Sequence, residues 1–166
     1  MPVVSGYITQ SNLTTPLPNL EIQQTPYWVL GGDPSDRADT STQNGFVPGL
    51  SVHKRVWADS PYVQGQQLVL ATPDNSTLIL RMLVSGVSQL DMQNNLLALI
   101  TAITEQLVFQ VSLTFDSASY LYTVYTGDHE EASGGQLAQF GTNIGVPVYL
   151  TLPRDPQVTV TSGSWV

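Results

Sequence analysis

Residues 89–127, QLDMQNNLLALITAITEQLVFQVSLTFDSASYLYTVYTG, contain the two patterns that decide the fold class. The first pattern predicts a helix over about residues 89–106, because five apolar residues recur at helical spacing and form one stripe: Met92, Leu96, Leu99, Ile100 and Ile103. Ser88 and Asp91 stand at capping-box spacing, and the Asp91 carboxylate also suits the positive first turn of a helix. A single helix cannot form a bundle, so the core must come from strands.

The second pattern predicts a β-hairpin directly after this helix. Apolar and polar residues alternate over residues 107–115 and again over residues 120–127, and a short polar turn sequence separates the two runs. Two earlier runs, residues 66–72 and 77–85, flank the turn sequence Pro73-Asp74-Asn75-Ser76 and predict a second hairpin before the helix. Single strands are predicted at residues 50–57 and at residues 146–152, ending at Pro153.

The two ends of the chain have a different character. Residues 1–48 combine short strand patterns with the closely spaced Pro16 and Pro18, and include residues 31–45, which contain almost no apolar side chain. They predict an extended arm and a long exposed loop, which is uncommon unless a partner orders it. Residues 154–166 are rich in Ser and Thr and predict a tail that is loose or docked on a neighbour.

Together these elements predict one mainly β domain over residues 1–166. Its core is an antiparallel β-sandwich or small barrel over residues 49–153, flanked by one α-helix. The longest nearly apolar stretch, residues 96–103, is far too short to cross a bilayer, and no signal-peptide pattern opens the sequence. We therefore expect a chain made in the cytoplasm that does not insert into a membrane.

The composition excludes several classes of function. The 166 residues include 5 basic and 13 acidic side chains, only 11% charged in total, and the net charge is −8. Typical soluble domains carry about 25% charged residues. Such an acidic chain is unsuited to grasping nucleic acid, so no sequence-specific nucleic-acid partner is expected. The absence of cysteine excludes disulfides, thiol catalysis and Cys-based zinc sites.

Two acidic segments raise the question of a metal site. The first carries carboxylates at every third residue of the long loop: Asp33, Asp36 and Asp39. Flexible carboxylates can bind calcium weakly, but this spacing fails the EF-hand pattern. The second is the run Asp128, His129, Glu130 and Glu131, whose neighbours would point to alternate faces of an extended chain. Both segments are better interpreted as solvated loops, so neither a metal nor another cofactor is expected.

No catalytic signature is present in the sequence. His53 and His129 are the only histidines, and neither a G-x-S-x-G nucleophile motif nor a phosphate-binding glycine motif occurs. Paired carboxylates for glycoside hydrolysis depend on tertiary geometry, and nothing in the spacing favours them. We therefore expect that the protein is not an enzyme.

A basic cluster is the first candidate for a subunit interface. His53, Lys54 and Arg55 are consecutive, and on a strand His53 and Arg55 share a face while Lys54 points away. The cluster suits an acidic patch on a neighbouring subunit. Charge on an edge strand also protects against aberrant pairing, so this second interpretation stays open.

The tryptophans and the acidic loop supply further interface candidates. Trp28 and Trp57 are expected in the core, whereas Trp165 lies in a Ser/Gly-rich end and is expected in an intermolecular contact. The loop carboxylates of Asp33, Asp36 and Asp39 are the remaining candidates for contacts between subunits.

A succession of motifs runs from residue 60 to about residue 152. It begins with Ser60-Pro61-Tyr62-Val63, Gly65 and Leu68-Val69, and continues with the predicted hairpin and helix. It ends with the alternating residues of the next hairpin: Phe109, Val111, Leu113, Phe115, Asp116, Tyr120 and Tyr122. This succession resembles the minor tail proteins of siphophages that infect actinobacteria.

The resemblance implies a tail-tube-like or distal-tail-like fold in a structural protein of the virion, placed in the phage tail or tail tip. Arms and long loops would join copies into a ring, related by three-fold or six-fold symmetry, that contacts other tail proteins and assembles in the host cytoplasm. The acidic charge is compatible with a ring through which DNA passes without binding. The family offers interfaces and no active site, so no functional residue is carried over.

Other interpretations are compatible with the same sequence. Within the tail, the chain could be a tail tube or tail terminator subunit. In a different class, it could be a carbohydrate- or cell-surface-binding β-sandwich whose Tyr27, Tyr62 and Tyr125 stack on sugars. A small hydrolase is the least favoured interpretation, because the histidine and glycine signatures are missing.

Overall fold

The computed structural model describes residues 3–29, 46–47, 53–59, 61–62, 64–115, 118–131, 138–140 and 143–162. These residues form one helix, α1 (Gln89–Thr104), and twelve strands: β1 (Ser5–Gln10), β2 (Leu17–Ile22), β3 (Tyr27–Val29), β4 (Phe46–Val47), β5 (His53–Asp59), β6 (Gln66–Pro73), β7 (Ser76–Gly86), β8 (Val108–Phe115), β9 (Ala118–Tyr125), β10 (Asp128–Glu131), β11 (Ala138–Phe140) and β12 (Asn143–Ser162). The predicted β-rich architecture with one flanking helix is confirmed.

The start of α1 is fixed by the residues that the sequence singles out. Ser88 is the N-cap, and its Oγ accepts a hydrogen bond from the backbone N–H of Asp91 at 3.2 Å. The Asp91 carboxylate in turn accepts from the backbone N–H of Val87 at 3.1 Å, so two otherwise unpaired donors are satisfied. In the described part of the chain, no helix is long and apolar enough to cross a bilayer.

The helix ends at Thr104, two residues earlier than predicted, because Gln106 turns into the protein. Its side chain is buried, and its Nε2 donates to the carbonyl oxygens of Thr9 and Ala102, both at 2.7 Å. Its Oε1 accepts from the backbone N–H of Asn12 at 3.1 Å. This amide therefore joins the last turn of α1 to the end of β1.

Ten of the strands form one antiparallel sheet. Its main path has the order β2-β1-β8-β9-β12-β7-β3, with β10 and β11 also paired to β12 and β4 paired to β7. The longest strand, β12, pairs with β7 from Ile144 opposite Gly86 to Arg154 opposite Ser76. Its other edge pairs with β11, then with β10 and then with β9. A 20-residue strand at the centre thus connects the two halves of the sheet.

The sheet forms a nearly closed barrel, and the strands at the two ends of its main path, β2 and β3, are consecutive in the chain. Gln23 lies between them with a left-handed φ of 62°. Its side chain donates to the carbonyl oxygen of Val3 at 2.7 Å and accepts from the backbone N–H of Val29 at 3.2 Å. The side chain of Gln23 therefore bridges backbone groups at the seam, where the sheet itself makes few pairs.

The interior of the barrel is apolar, and α1 packs against it. The buried face of α1 is the predicted stripe, now with Ala102 included in place of the half-buried Ile100: Met92, Leu96, Leu99, Ala102 and Ile103. Tyr27 connects the helix to β3, since its hydroxyl donates to the carbonyl oxygen of Asn95 at 2.9 Å. The Asn95 amide donates to the carbonyl oxygen of Ser85 on β7 at the same distance, which fixes the helix across the sheet.

The predicted hairpin of residues 66–72 and 77–85 is wrong, although both strands form. β6 pairs with β5 in a separate two-stranded sheet, whereas β7 pairs with β12 on one edge and with β3 and β4 on the other. Asp74 and Asn75 connect the two strands without pairing them. β7 is buried along most of its length, so it requires sheet neighbours on both edges, and the exposed β6 is not one of them.

The predicted N-terminal arm is also wrong for the described residues between 5 and 29. β1 pairs with both β2 and β8, and Ile8, Leu20 and Ile22 are buried in the core. The prolines that favoured an arm are compatible with this position, because Pro18 lies on an edge strand that pairs only with β1. The loop predicted over residues 31–45 lies outside the described residues.

The predicted loose tail is wrong up to Ser162. β12 continues past Pro153 through an irregularity between Arg154 and Val158 and then pairs with β9. Arg154 stabilises this irregularity, because its buried guanidinium donates to the carbonyl oxygen of Asp155 at 3.0 Å and lies 5.7 Å from the centre of the Tyr122 ring. The predicted hairpin of β8 and β9 is confirmed, from Val108 opposite Tyr125 to Phe115 opposite Ala118.

The packing of α1 predicts a contrast between two leucines two residues apart. Leu99 is fully buried, whereas Leu97 is 64% exposed. We expect Leu99→Ala to lower the free energy of unfolding by about 2–5 kcal/mol, because it leaves a cavity in the core. The same change at Leu97 should cost less than about 1 kcal/mol. Urea denaturation of both variants tests this, and equal losses would contradict the assigned helix face.

Tyr27 predicts a loss of stability at high pH. Burial raises the pKa of Tyr27 to about 12, and the nearby Asp91 carboxylate acts in the same direction. An unfolded tyrosine has a pKa of about 10, so the stabilising contribution is fully present below about pH 10 and is lost as the pH rises through about 12. Burial also raises the pKa of Tyr122, so the test is the difference between wild type and Tyr27→Phe. Unfolding midpoints measured from pH 9 to about 12 should fall less steeply in Tyr27→Phe; identical slopes would contradict the assignment.

Candidate functional site

The strands β5 and β6 form a hairpin that stands apart from the barrel. They pair with each other from His53 opposite Pro73 to Asp59 opposite Gln66, with a bulge after Val56. Every residue of both strands is exposed. An isolated two-stranded hairpin is at best marginally stable in water. This hairpin is therefore the part of the described structure that most clearly lacks a packing partner.

The centre of the hairpin is apolar on both faces. Trp57 lies opposite Leu68, and Val56 lies opposite Leu70, so each face presents a cross-strand apolar pair. These four side chains are 46–52% exposed. The expectation that Trp57 belongs to the core is wrong, because its strand does not join the main sheet. Large exposed aromatic residues of this kind act as anchors in protein interfaces.

The basic cluster lies at one end of this hairpin. His53, Lys54 and Arg55 are all exposed on β5, and their regular pairing with residues 71–73 gives the alternation expected of a strand. Arg55 therefore shares a face with Trp57, whereas Lys54 shares the opposite face with Val56. Because β5 is an edge strand, the protective role of charge against aberrant pairing is also compatible with this position.

None of the other predicted interface residues has a described contact with the hairpin. Asp33, Asp36, Asp39 and Trp165 lie outside the described residues. Trp28, expected in the core, is 38% exposed on β3. Within the described ranges no group of three or more His, Asp or Glu side chains is arranged to hold a metal ion. The predicted acidic loop at Asp128 is instead strand β10, paired to β12.

The positive charge of the described chain is concentrated on the hairpin. Arg81 and Arg154 are 1% and 4% exposed, so the exposed Lys and Arg side chains among the described residues are Lys54 and Arg55. The exposed acidic side chains on the barrel and helix are Glu21, Glu105, Asp128 and Glu130. The basic residues Lys54 and Arg55 therefore carry charge opposite to these carboxylates, while Asp59 at the other end of β5 and Asp74 just after β6 are exposed acidic residues of the hairpin region.

The outer face of α1 is the second unusual surface. Leu90 and Leu97 lie two turns apart and are 72% and 64% exposed, and Leu107 just beyond the helix is 82% exposed. Glu105 is the exposed C-cap, and the last turn contains no basic residue. An acidic group is unfavourable at this end of a helix, where the helix dipole is negative. The face thus combines exposed apolar side chains with uncompensated negative charge.

A polar groove lies on the outer face of β2, β1, β8, β9 and β12. Its volume is about 330 Å³, and most of its lining is hydroxyl-bearing: Ser5, Tyr7, Ser112, Thr114, Ser119 and Thr161, with Gly6, Glu21 and Leu121. Thr114 and Ser119 are hydrogen-bonded to each other at 2.8 Å. A side chain at Gly6 would collide with the Ser112 carbonyl and with Ile22, so glycine permits the close packing beneath the groove. Of the tyrosines predicted to stack on sugars, Tyr27 is buried and is not available.

No protein-family model matches this chain, and no curated protein sequence matches it. The function therefore has to be argued from the hairpin, the outer face of α1 and the groove. Sequence reasoning found the basic cluster but missed Trp57 and Glu105, because their exposure depends on tertiary packing.

The separation of the hairpin from the barrel predicts that it can be removed without loss of the fold. In a variant with residues 53–73 replaced by a short Gly-Ser linker, the free energy of unfolding should change by less than about 1 kcal/mol, because no residue of either hairpin strand is buried. Denaturant unfolding and near-ultraviolet circular dichroism measure this. An unfolded or molten variant would show that the hairpin supports its own barrel.

Proposed function

We propose that the protein is a structural subunit that assembles with copies of itself, and that this assembly is a ring in the tail or tail tip of a tailed bacteriophage. The single observation that carries the proposal is the exposed β5–β6 hairpin, with apolar pairs on both faces and the exposed positive charge of the described chain at one end. A monomer gains nothing from such an element, whereas an assembly buries it.

The low charge of the chain supports the same proposal. Only 11% of the residues are charged, and two of the described arginines are buried, so the strands present few charges that would keep monomers apart. Joining copies through a protruding element gives a head-to-tail contact, which generates closed rings when the rotation closes. The placement in a phage tail rests on the resemblance of residues 60–152 to minor tail proteins of siphophages.

The proposal predicts that self-assembly depends on the hairpin. The purified wild-type chain should form a species larger than a monomer by size-exclusion chromatography with light scattering, and rings by negative-stain electron microscopy. The variant with residues 53–73 replaced by a linker should be folded and monomeric. A neighbouring gene for a tape-measure protein would support the tail assignment. A wild-type chain that stays monomeric at high concentration, and that does not bind other tail proteins, would overturn the proposal.

A second candidate function, binding of a carbohydrate, is favoured by the polar groove. Its hydroxyl-rich floor, the Tyr7 ring and the Glu21 carboxylate are groups that bind sugars through hydrogen bonds and ring stacking. On a glycan array of bacterial surface saccharides, binding by the wild-type chain that is lost in Glu21→Gln and in Tyr7→Ala would favour this function. The matched control is Asp128→Asn, an exposed carboxylate outside the groove, which should leave binding unchanged. The absence of binding to every glycan would exclude the groove as such a site.

A further inference from the structure

The partner surface for the hairpin can be identified by the chemistry that the hairpin presents. We propose that the β5–β6 hairpin of one copy lies along the outer face of α1 in a second copy, with Arg55 against Glu105 and Trp57 against the exposed Leu97. The inference rests on the proposed self-assembly and names the two surfaces that meet in it.

The two surfaces match in length. β6 contains 8 residues and α1 contains 16. At about 3.3 Å per residue the strand spans about 26 Å, and at about 1.5 Å per residue the helix spans about 24 Å. A hairpin lying along the helix therefore covers the outer face of α1 over its whole length, and neither element extends far beyond the other.

The two surfaces also match in apolar character. The Arg55 face of the hairpin presents the cross-strand pair of Trp57 and Leu68. The outer face of α1 presents Leu90 and Leu97, both more than 60% exposed, in an otherwise polar surface. Placed together, the two sets form the apolar centre that a specific interface requires.

The electrostatics fix the direction of the contact. Glu105 adds a negative charge to the negative end of α1, and the last helical turn offers no cation to balance it. Lys54 and Arg55 are the exposed cations of the described chain, and of the two it is Arg55 that shares the face of Trp57. A cation from another copy therefore stabilises a helix end whose own last turn contains no basic residue. Arginine also suits this role because its planar guanidinium can bind a carboxylate with two parallel hydrogen bonds.

One competing surface has a similar character. Glu21 on β2 is exposed, and the exposed Leu17 lies on the same strand. It differs from the helix end in two respects: no helix dipole adds to its charge, and Glu21 lines the polar groove. The helix is thus the better acceptor, and Glu21 supplies the matched control for the experiment.

The test is a charge exchange between the two surfaces. Arg55→Glu and Glu105→Arg are each expected to weaken self-association at least about tenfold, because each places like charges together in the contact. Lys54→Glu makes the same charge change on the opposite face of the hairpin, and Glu21→Arg makes it on the competing surface. Both controls should associate within a few-fold of wild type. Sedimentation velocity measures association, and thermal unfolding confirms that every variant is folded.

A mixture of the two weakened variants makes the test specific. When the two variants alternate, two kinds of contact form. In one, the new glutamate at position 55 of the first variant lies against the new arginine at position 105 of the second. In the other, the unchanged Arg55 lies against the unchanged Glu105. Arg55→Glu and Glu105→Arg should therefore associate with each other more strongly than either variant associates with itself. The inference is overturned if Glu105→Arg associates like wild type, if the mixture associates no more strongly than the separate variants, or if Glu21→Arg is the variant that complements Arg55→Glu. In each of these cases the proposed self-assembly stands, whereas a monomeric wild type would remove both.

Discussion

The pairing of β12 along both of its edges is the constraint on which the rest of the structure depends. Eleven consecutive pairs join it to β7, and the other edge is shared among β11, β10 and β9. Through β7 it positions α1, which packs on the barrel, and through β9 it positions β8, β1 and β2. Long strands in twisted sheets often contain a local irregularity such as a bulge, which increases the twist. In the 20-residue β12 this irregularity lies between Arg154 and Val158. The buried Arg154 satisfies a carbonyl oxygen that this irregularity exposes.

Local patterns predict the elements whose partners are close in sequence. The stripe of α1, its cap at Ser88 and the hairpin of β8 and β9 each depend on contacts within a few residues, and all three are observed. The sequence of β1 and β2 instead predicts an arm, because their partners lie far away: Ser5 pairs with Thr114, for example. Alternation of apolar residues identifies a strand and its buried face, but it does not identify the neighbouring strand. For the same reason, the sequence pattern predicts a pairing of β6 with β7 that the structure does not contain.

The residues of the candidate site show the same limit of sequence patterns, here for exposed side chains. The consecutive basic residues beginning at His53 are recognisable as a candidate interface from sequence alone. Trp57, four residues later, has the pattern of a core residue, and only the separation of its strand from the barrel makes it an exposed one. Burial of Arg81 and Arg154 likewise cannot be read from composition, yet it leaves Lys54 and Arg55 as the exposed Lys and Arg side chains of the described residues. Both facts arise from tertiary packing, and together they define the surface proposed for assembly.

The exposure of every hairpin residue has a consequence for how such a chain can change over time. Side chains in the barrel are constrained by volume, because each touches several others in a densely packed interior. Side chains on β5 and β6 carry no such constraint within their own chain. Selection on these strands therefore acts through whatever they touch outside the chain. Related sequences should diverge there in step with their partners, while the barrel and the α1 stripe keep their pattern. The side chains of the hairpin can therefore change to fit a new binding partner while the barrel keeps its fold.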